Sequence, residues 1–260
     1  MTFEIFVVLG LVAFLAGLFD AIAGGGGLIT LPALFVAGLD PVSALATNKL
    51  QATAATVSAT AAYSRKGLID WRLGRWVTVI PMIGGAAGAL MVNAIEKRWV
   101  EAGIPFLLIA VAIYFAVAPS GERLKRVAYL SIPVFAITIS PLLGFYDGFF
   151  GPGIGSFFMI GLMALCGLNT MQAVGLTKVG NASCNVGSLM VFVAGGAVIW
   201  PLAAIMAAGA FVGAQLGARC AVFVGPRLVK PMIVMVCCGM AFKLLNAQFS
   251  SLYAAIRGLM

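Results

Sequence analysis

Four charged residues and two glycine clusters are the parts of this sequence able to do chemistry. Lys49 stands in ALATNKLQATAATVSATAAY and Lys178 in AVGLTKVGNASCNVGSLMVFVA, each the sole charge of its stretch. Asp20 precedes Gly24, Gly25, Gly26 and Gly27; Asp147 precedes Gly151, Gly153 and Gly155. Helical steps of three and four put Lys49, Thr53, Thr56 and Thr60 on one face. The same spacing groups Lys178, Asn181, Asn185 and Ser188. A charge near the bilayer centre costs at least ~2.5–3.5 kcal/mol. Both lysines are therefore expected to face protein, water or an anion. Glycine runs break helices. Backbone freed inside hydrocarbon is tolerated only when buried in protein or lining a wet cavity. N–H groups at a half-helix start favour an anion.

Two readings of these charges stand side by side. Asp20, Asp147, Lys49 and Lys178 sum to zero and can form structural ion pairs. Alternatively, the lysines attract an anion, with the aspartates as pair partners or proton sites. Asn48 and Thr177, next to the lysines, are further polar candidates. The plainer reading of the glycines is close helix packing, and that of the hydroxyls and amides is helix-to-helix hydrogen bonding.

The elements that must hold these residues are membrane helices. Of 260 residues, 62% are hydrophobic and 9% charged. A soluble domain carries about 25% charged residues. The apolar content suffices for roughly eight spans of about 20 residues. Apolar runs cover 3–23, 42–63, 76–95, 102–118, 127–146, 170–194, 201–224 and 229–247. Shorter apolar pieces, 28–38 and 155–167, follow the glycine breaks. Glu4 and the lack of a basic N-terminal stretch predict that the first run is a retained span, not a signal peptide. The net charge of +8 fits basic loops at an anionic membrane surface better than nucleic-acid binding.

The chain repeats itself. Gly17, Asp20, Gly24 and Gly26 match Gly144, Asp147, Gly151 and Gly153 at one constant offset. After a two-residue insertion, Lys49 matches Lys178, Trp71 matches Trp200, and Gly84 and Gly88 match Gly213 and Gly217. The expected organisation is a first membrane repeat over 1–118, a polar linker at 119–126 and a second repeat over 127–260. The fold class is an all-α polytopic membrane protein with two homologous halves. About eight spans with Gly-broken re-entrant segments, which make the halves parallel, are expected; ten crossings with inverted halves are the alternative. The loop Lys and Arg distribution does not decide between these. Broken helices in corresponding places of two halves mark the binding site of a secondary transporter.

Other chemistries find little support. The sequence has no His, the commonest metal ligand and general base. Cys166, Cys184, Cys220, Cys237 and Cys238 lack zinc-site spacing and read as packing residues. There is no P-loop and no serine nucleophile elbow. No catalytic residue, metal or cofactor is expected, and the chain does not read as an enzyme. Trp71, Trp76, Trp99 and Trp200 lie near span ends, as an interfacial belt would. Pro32, Pro81, Pro141 and Pro152 are candidate helix kinks.

The segment GLFDAIAGGGGLITLPALFVAGLDPVSALATNKLQATAATVSATAAY resembles the first repeat of the sulfite exporter TauE/SafE family, the TSUP permeases. GFYDGFFGPGIGSFFMIGL and AVGLTKVGNASCNVGSLMVF resemble its second repeat. The likeness covers essentially the whole chain. It implies a transporter of the cytoplasmic membrane for a small sulfur-containing anion, such as sulfite or an organosulfonate. Within the matched motifs it points to Gly24, Gly26, Pro32, Asn48 and Lys49, then Gly151, Gly153, Gly155, Thr177 and Lys178. The second repeat has Thr177 where the first has Asn48, and no counterpart of Pro32. The expected function is secondary transport, with Asp20 or Asp147 able to couple it to protons. An anion channel and a structural membrane subunit are the competing expectations.

Overall fold

The computed structural model describes residues 2–117 and 127–221. These fold into helices: α1 (Phe3–Ala23), α2 (Gly27–Val36), α3 (Pro41–Arg65), α4 (Trp71–Gly74), α5 (Trp76–Ala94) and α6 (Lys97–Val117). Then come α7 (Ile132–Thr138), α8 (Ser140–Phe149), α9 (Ile154–Cys166), α10 (Thr170–Ala194) and α11 (Trp200–Cys220). No strand occurs among the described residues; Ala128 and Cys166 form a lone bridge. The expected linker at 119–126, the run at 229–247, Cys237 and Cys238 lie outside the described residues.

Three described helical segments are long and apolar enough to cross a membrane: Phe3–Ile22, Trp71–Ala94 and Trp200–Cys220. The bent pair α7–α8 makes a fourth. Helices α3 and α10 have 25 residues each, about 37 Å at 1.5 Å per residue. They are long enough to span, but their polar stripes face protein. Lys49 and Lys178 are each 1% exposed. The surface is apolar instead, with Leu11, Ile83, Leu90, Phe106 and Leu142 exposed, as for helices bathed in lipid.

The ends of these elements follow from local chemistry. Asp40 caps α3 by accepting from Ser43 N, with Pro41 in the first turn. Asn169 and Gln172 form a capping box on α10. The apolar run 127–146 is not one straight helix: α7 and α8 meet at 42°. Pro141, in the first turn of α8, lacks an N–H and disfavours a helical residue before it. Pro81 lies inside α5, and Val77, four residues earlier, has non-helical φ −92°, ψ 21°. A proline ring clashes with the carbonyl at that position. Pro32 lies inside the short α2, and Pro152 in the break before α9.

Glycines let these helices touch backbone to backbone. A Cβ on Gly209 would meet the Gly10 carbonyl, one on Gly213 that of Phe14, and one on Gly217 that of Leu18. These contacts advance together, so α1 and α11 run parallel. Gly84 against Pro141 and Gly88 against Phe145 make α5 and α8 parallel likewise. Ser58 Oγ donates to Phe211 O at 2.8 Å and Lys66 Nζ to Ala218 O at 2.7 Å, so α3 follows α11. Met82 lies against Gly187 and the Asn93 side chain against Gly195, so α5 follows α10. In contrast, α3 and α10 oppose each other. Lys49 Nζ donates to Asn185 Oδ1, while Gly175 abuts Leu68 just past the end of α3.

Candidate functional site

The site forms where the two glycine breaks meet. After α1 the chain turns at Gly24, in the left-handed region with φ 73°. After α8 it turns at Gly151 and Gly153, with φ 98° and 84°. Only glycine takes such angles without a steric penalty. A Cβ on Gly24 would lie 2.7 Å from Gly155 Cα, and one on Gly155 2.6 Å from Gly24 Cα. Ser156 fastens the junction, donating to Gly24 O from N at 3.2 Å and from Oγ at 3.1 Å. The short helices α2 and α9 thus start side by side.

Two buried ion pairs flank this junction, each joining the Lys of one sequence half to the Asp of the other. Lys49 Nζ lies 2.8 Å from Asp147 Oδ1 and donates to Asn185 Oδ1 at 3.2 Å. Lys178 Nζ lies 3.3 Å from Asp20 Oδ2 and also donates to the Asp20 carbonyl. Asp20 Oδ1 accepts from Gly26 N at 3.2 Å. A buried charge is tolerable when paired and hydrogen-bonded; all four charges are paired, and Asp147 Oδ2 is the one carboxylate oxygen left without a partner among the described residues.

A small cavity of about 20 Å³ lies between the breaks and helices α3 and α10. Of the expected residues, Asn48, Lys49, Thr56, Asn181, Asn185, Gly24, Gly25, Gly26, Gly151, Gly153, Gly155, Asp20 and Asp147 line it. Lys178 does not; it lies behind Asp20. Thr177 is buried off the cavity, its hydroxyl without a partner among the described residues. Thr53 is not on the wall either, and returns its hydroxyl to Lys49 O at 2.6 Å. Thr56 and Thr60 likewise bond carbonyls of their own helix.

Hydrogen-bond donors dominate the wall. The N–H groups of Gly25, Gly27, Gly153 and Gly155 have no acceptor among the described residues, as befits helix starts. Asn48 Oδ1 accepts from Thr30 Oγ1 at 2.5 Å, which leaves the Asn48 NH2 as a donor. Asn181 Oδ1 accepts from Asn185 Nδ2 at 2.8 Å, which leaves the Asn181 NH2 in the same position. Thr30, Ser156, Ala52 and Ile154 are parts of the site or its support that the sequence alone did not single out. Thr30 had a signal: it is a lone hydroxyl inside the apolar α2. No group of three or more His, Cys, Asp or Glu able to hold a metal exists among the described residues.

Apolar helices around a buried, donor-lined cavity at two helix breaks define an integral membrane transporter. The sulfite exporter TauE/SafE family matches residues 9–244, and the chain belongs to that family. It is 40% identical over 245 residues to the probable membrane transporter protein ORF9 of Sinorhizobium sp, covering 94% of each chain. It is 41% identical over 239 residues to the probable membrane transporter protein YfcA of Escherichia coli strain K12, covering 92% of this chain and 88% of that one. A probable membrane transporter protein of Haemophilus influenzae is 38% identical over 248 residues, covering 94% and 96%. No solved structure matches. The protein is thus an integral protein of the cytoplasmic membrane that moves a small molecule.

Proposed function

We propose that this transporter is a secondary carrier of a small sulfur oxyanion, sulfite or an organosulfonate. The observation that carries the reading is the donor-rich wall. Four unpartnered backbone N–H groups and two amide NH2 groups surround a cavity whose carboxylates are already matched by ammonium groups. Such a surface suits an acceptor-only ligand with several oxygens. Sulfite is named by the family to which the chain belongs, and a sulfonate presents the same oxygen cluster. In this reading Lys49 supplies charge, Asn48 and Asn181 supply amide donors, and Gly25, Gly27, Gly153 and Gly155 supply the cradle.

The halves, 1–118 and 127–260, act as inverted repeats with ten crossings. What supports this is direction: α1 and α3 follow α11, α8 and α5 follow α10, and α3 opposes α10. Helices α1, α3 and α5 therefore oppose their counterparts α8, α10 and α11, as a two-fold axis lying in the membrane plane requires. The crossed Lys–Asp pairs then hold the halves together at the site. Rocking of one half against the other would expose the cavity to each side in turn.

Flux measurements in proteoliposomes test the function. Radiolabelled sulfite is loaded against a panel of unlabelled sulfite, methanesulfonate, sulfate, acetate and chloride. Saturable counterflow competed by sulfite and methanesulfonate supports the carrier. Conductance without counterflow supports an anion channel instead.

A further inference from the structure

We infer that Asp147 binds one proton that travels with a monoanionic substrate. The inference rests on the anion-carrier reading and adds the coupling ion and its seat.

The first argument is charge balance. Asp20, Asp147, Lys49 and Lys178 are the charged side chains of the site, and they cancel. An anion entering alone would be an uncompensated buried charge, which costs several kcal/mol even after relaxation. One proton on an aspartate turns the site positive by one unit and restores balance when a monoanion is present.

The second argument selects the aspartate. Both oxygens of Asp20 are engaged, one by Gly26 N and one by Lys178 Nζ. Its backbone carbonyl also accepts from Lys178. Protonating Asp20 would loosen contacts that hold the first break in shape. Asp147 differs. Its Oδ1 meets Lys49, whereas its buried Oδ2 has no hydrogen-bond partner among the described residues. That oxygen can take a proton without surrendering a bond. The residue is 1% exposed and lies on the cavity wall.

The step is a proton transfer and an exchange of counterions. A proton from the aqueous side binds Asp147 Oδ2 and discharges the carboxylate. The Lys49 ammonium keeps Asn185 Oδ1 as an acceptor and takes the anion in place of the carboxylate. On the other side the anion leaves, the proton leaves, and the Lys49–Asp147 pair closes. One proton and one negative charge enter and leave together. The ionisable groups around Asp147 are Lys49 from α3, Cys184 from α10 and Asp20 from α1, with Tyr146 next to it on α8. Helices α5 and α7 carry no ionisable side chain, and α9 carries one, Cys166 at its far end. None of these can substitute for Asp147 as a proton seat beside Lys49.

The experiment uses the full chain in proteoliposomes, with radiolabelled sulfite and methanesulfonate as probes. Flux is driven either by a pH difference or by a potassium–valinomycin potential. For wild type, one pH unit should drive about tenfold accumulation of methanesulfonate, the factor carried by one unit of proton activity. The potential should have no effect, because the loaded carrier is electroneutral. D147N should exchange labelled for unlabelled anion yet lose the pH drive and respond to potential. The double variant K49Q/D147N, which leaves no unpaired ammonium, should also lose the pH drive. D40N, at the N-terminal cap of α3 and off the cavity wall, is the comparison and should keep it. Wild-type flux that follows potential but ignores pH overturns the inference, as does pH-driven accumulation by D147N. A wild type that exchanges neither probe overturns the anion reading beneath it.

Discussion

Alanine at the crossing of the two breaks is the sharpest structural perturbation. Three glycines separate its two costs. Gly38 has φ 86° with open space around it, so Gly38→Ala meets only the left-handed backbone penalty, about 1–2 kcal/mol. Gly155 has an ordinary helical φ, but its new Cβ would lie 2.6 Å from Gly24 Cα and 3.1 Å from Gly24 C. Those obstacles are backbone and cannot rotate away, so Gly155→Ala should cost about 1–3 kcal/mol by overpacking. Gly24→Ala meets both, with φ 73° and Gly155 Cα at 2.7 Å. It should cost about 2–5 kcal/mol, the sum of the two ranges. The assay is denaturant unfolding in detergent, paired with sulfite counterflow. Gly24→Ala and Gly155→Ala should lose counterflow, because parting the breaks scatters the N–H donors. Gly38→Ala should keep it. The reasoning is refuted if Gly24→Ala is no less stable than Gly38→Ala, or if either break variant transports like wild type.

Other outcomes follow from the same geometry. Lys49→Ala strands the Asp147 carboxylate and should destabilise by about 3–5 kcal/mol, whereas Lys49→Met with Asp147→Leu should recover most of that stability in thermal unfolding while lacking transport. Thr30→Val frees Asn48 to turn its amide and should raise KM for sulfite about fivefold, the worth of about 1 kcal/mol; Thr30→Ser should restore it. Asp40→Ala should remove about 1 kcal/mol of helix-cap stability, read by thermal shift. At Asp40, partial burial raises the carboxyl, but hydrogen bonds from Ser43 and the nearby Lys97 outweigh it and hold the group below its ordinary value. A lowered folded value means the contribution is present above the unfolded carboxylate value and is lost as pH falls through the folded one. The stability gap between wild type and Asp40→Ala should therefore narrow in acid.

Much of the scaffold was legible because membrane helices are written in one dimension. The run 170–194 coincides with α10, and 76–95 with α5 to within a residue. The glycine clusters predicted breaks because little else relieves the left-handed turns seen at Gly24, Gly151 and Gly153. The crossing of the ion pairs was not legible. Which aspartate meets Lys49 depends on how α3 packs against α10 and α11, and no periodicity records a partner so far along the chain. The bend between α7 and α8 falls at Pro141, which the sequence offered as a kink, while the angle itself is set by packing. The threonine stripe misled in part: Thr53, Thr56 and Thr60 share a face, yet their hydroxyls are spent on carbonyls one turn back.

The central claim is that the paired breaks cradle a small sulfur oxyanion beside a buried lysine. Counterflow of radiolabelled sulfite, measured for wild type, Lys49→Ala and Lys178→Ala in parallel, tests it most directly. The account predicts saturable sulfite exchange by wild type and its loss in both variants among molecules that insert and elute as folded protein. Normal insertion with wild-type anion flux in both variants would contradict it.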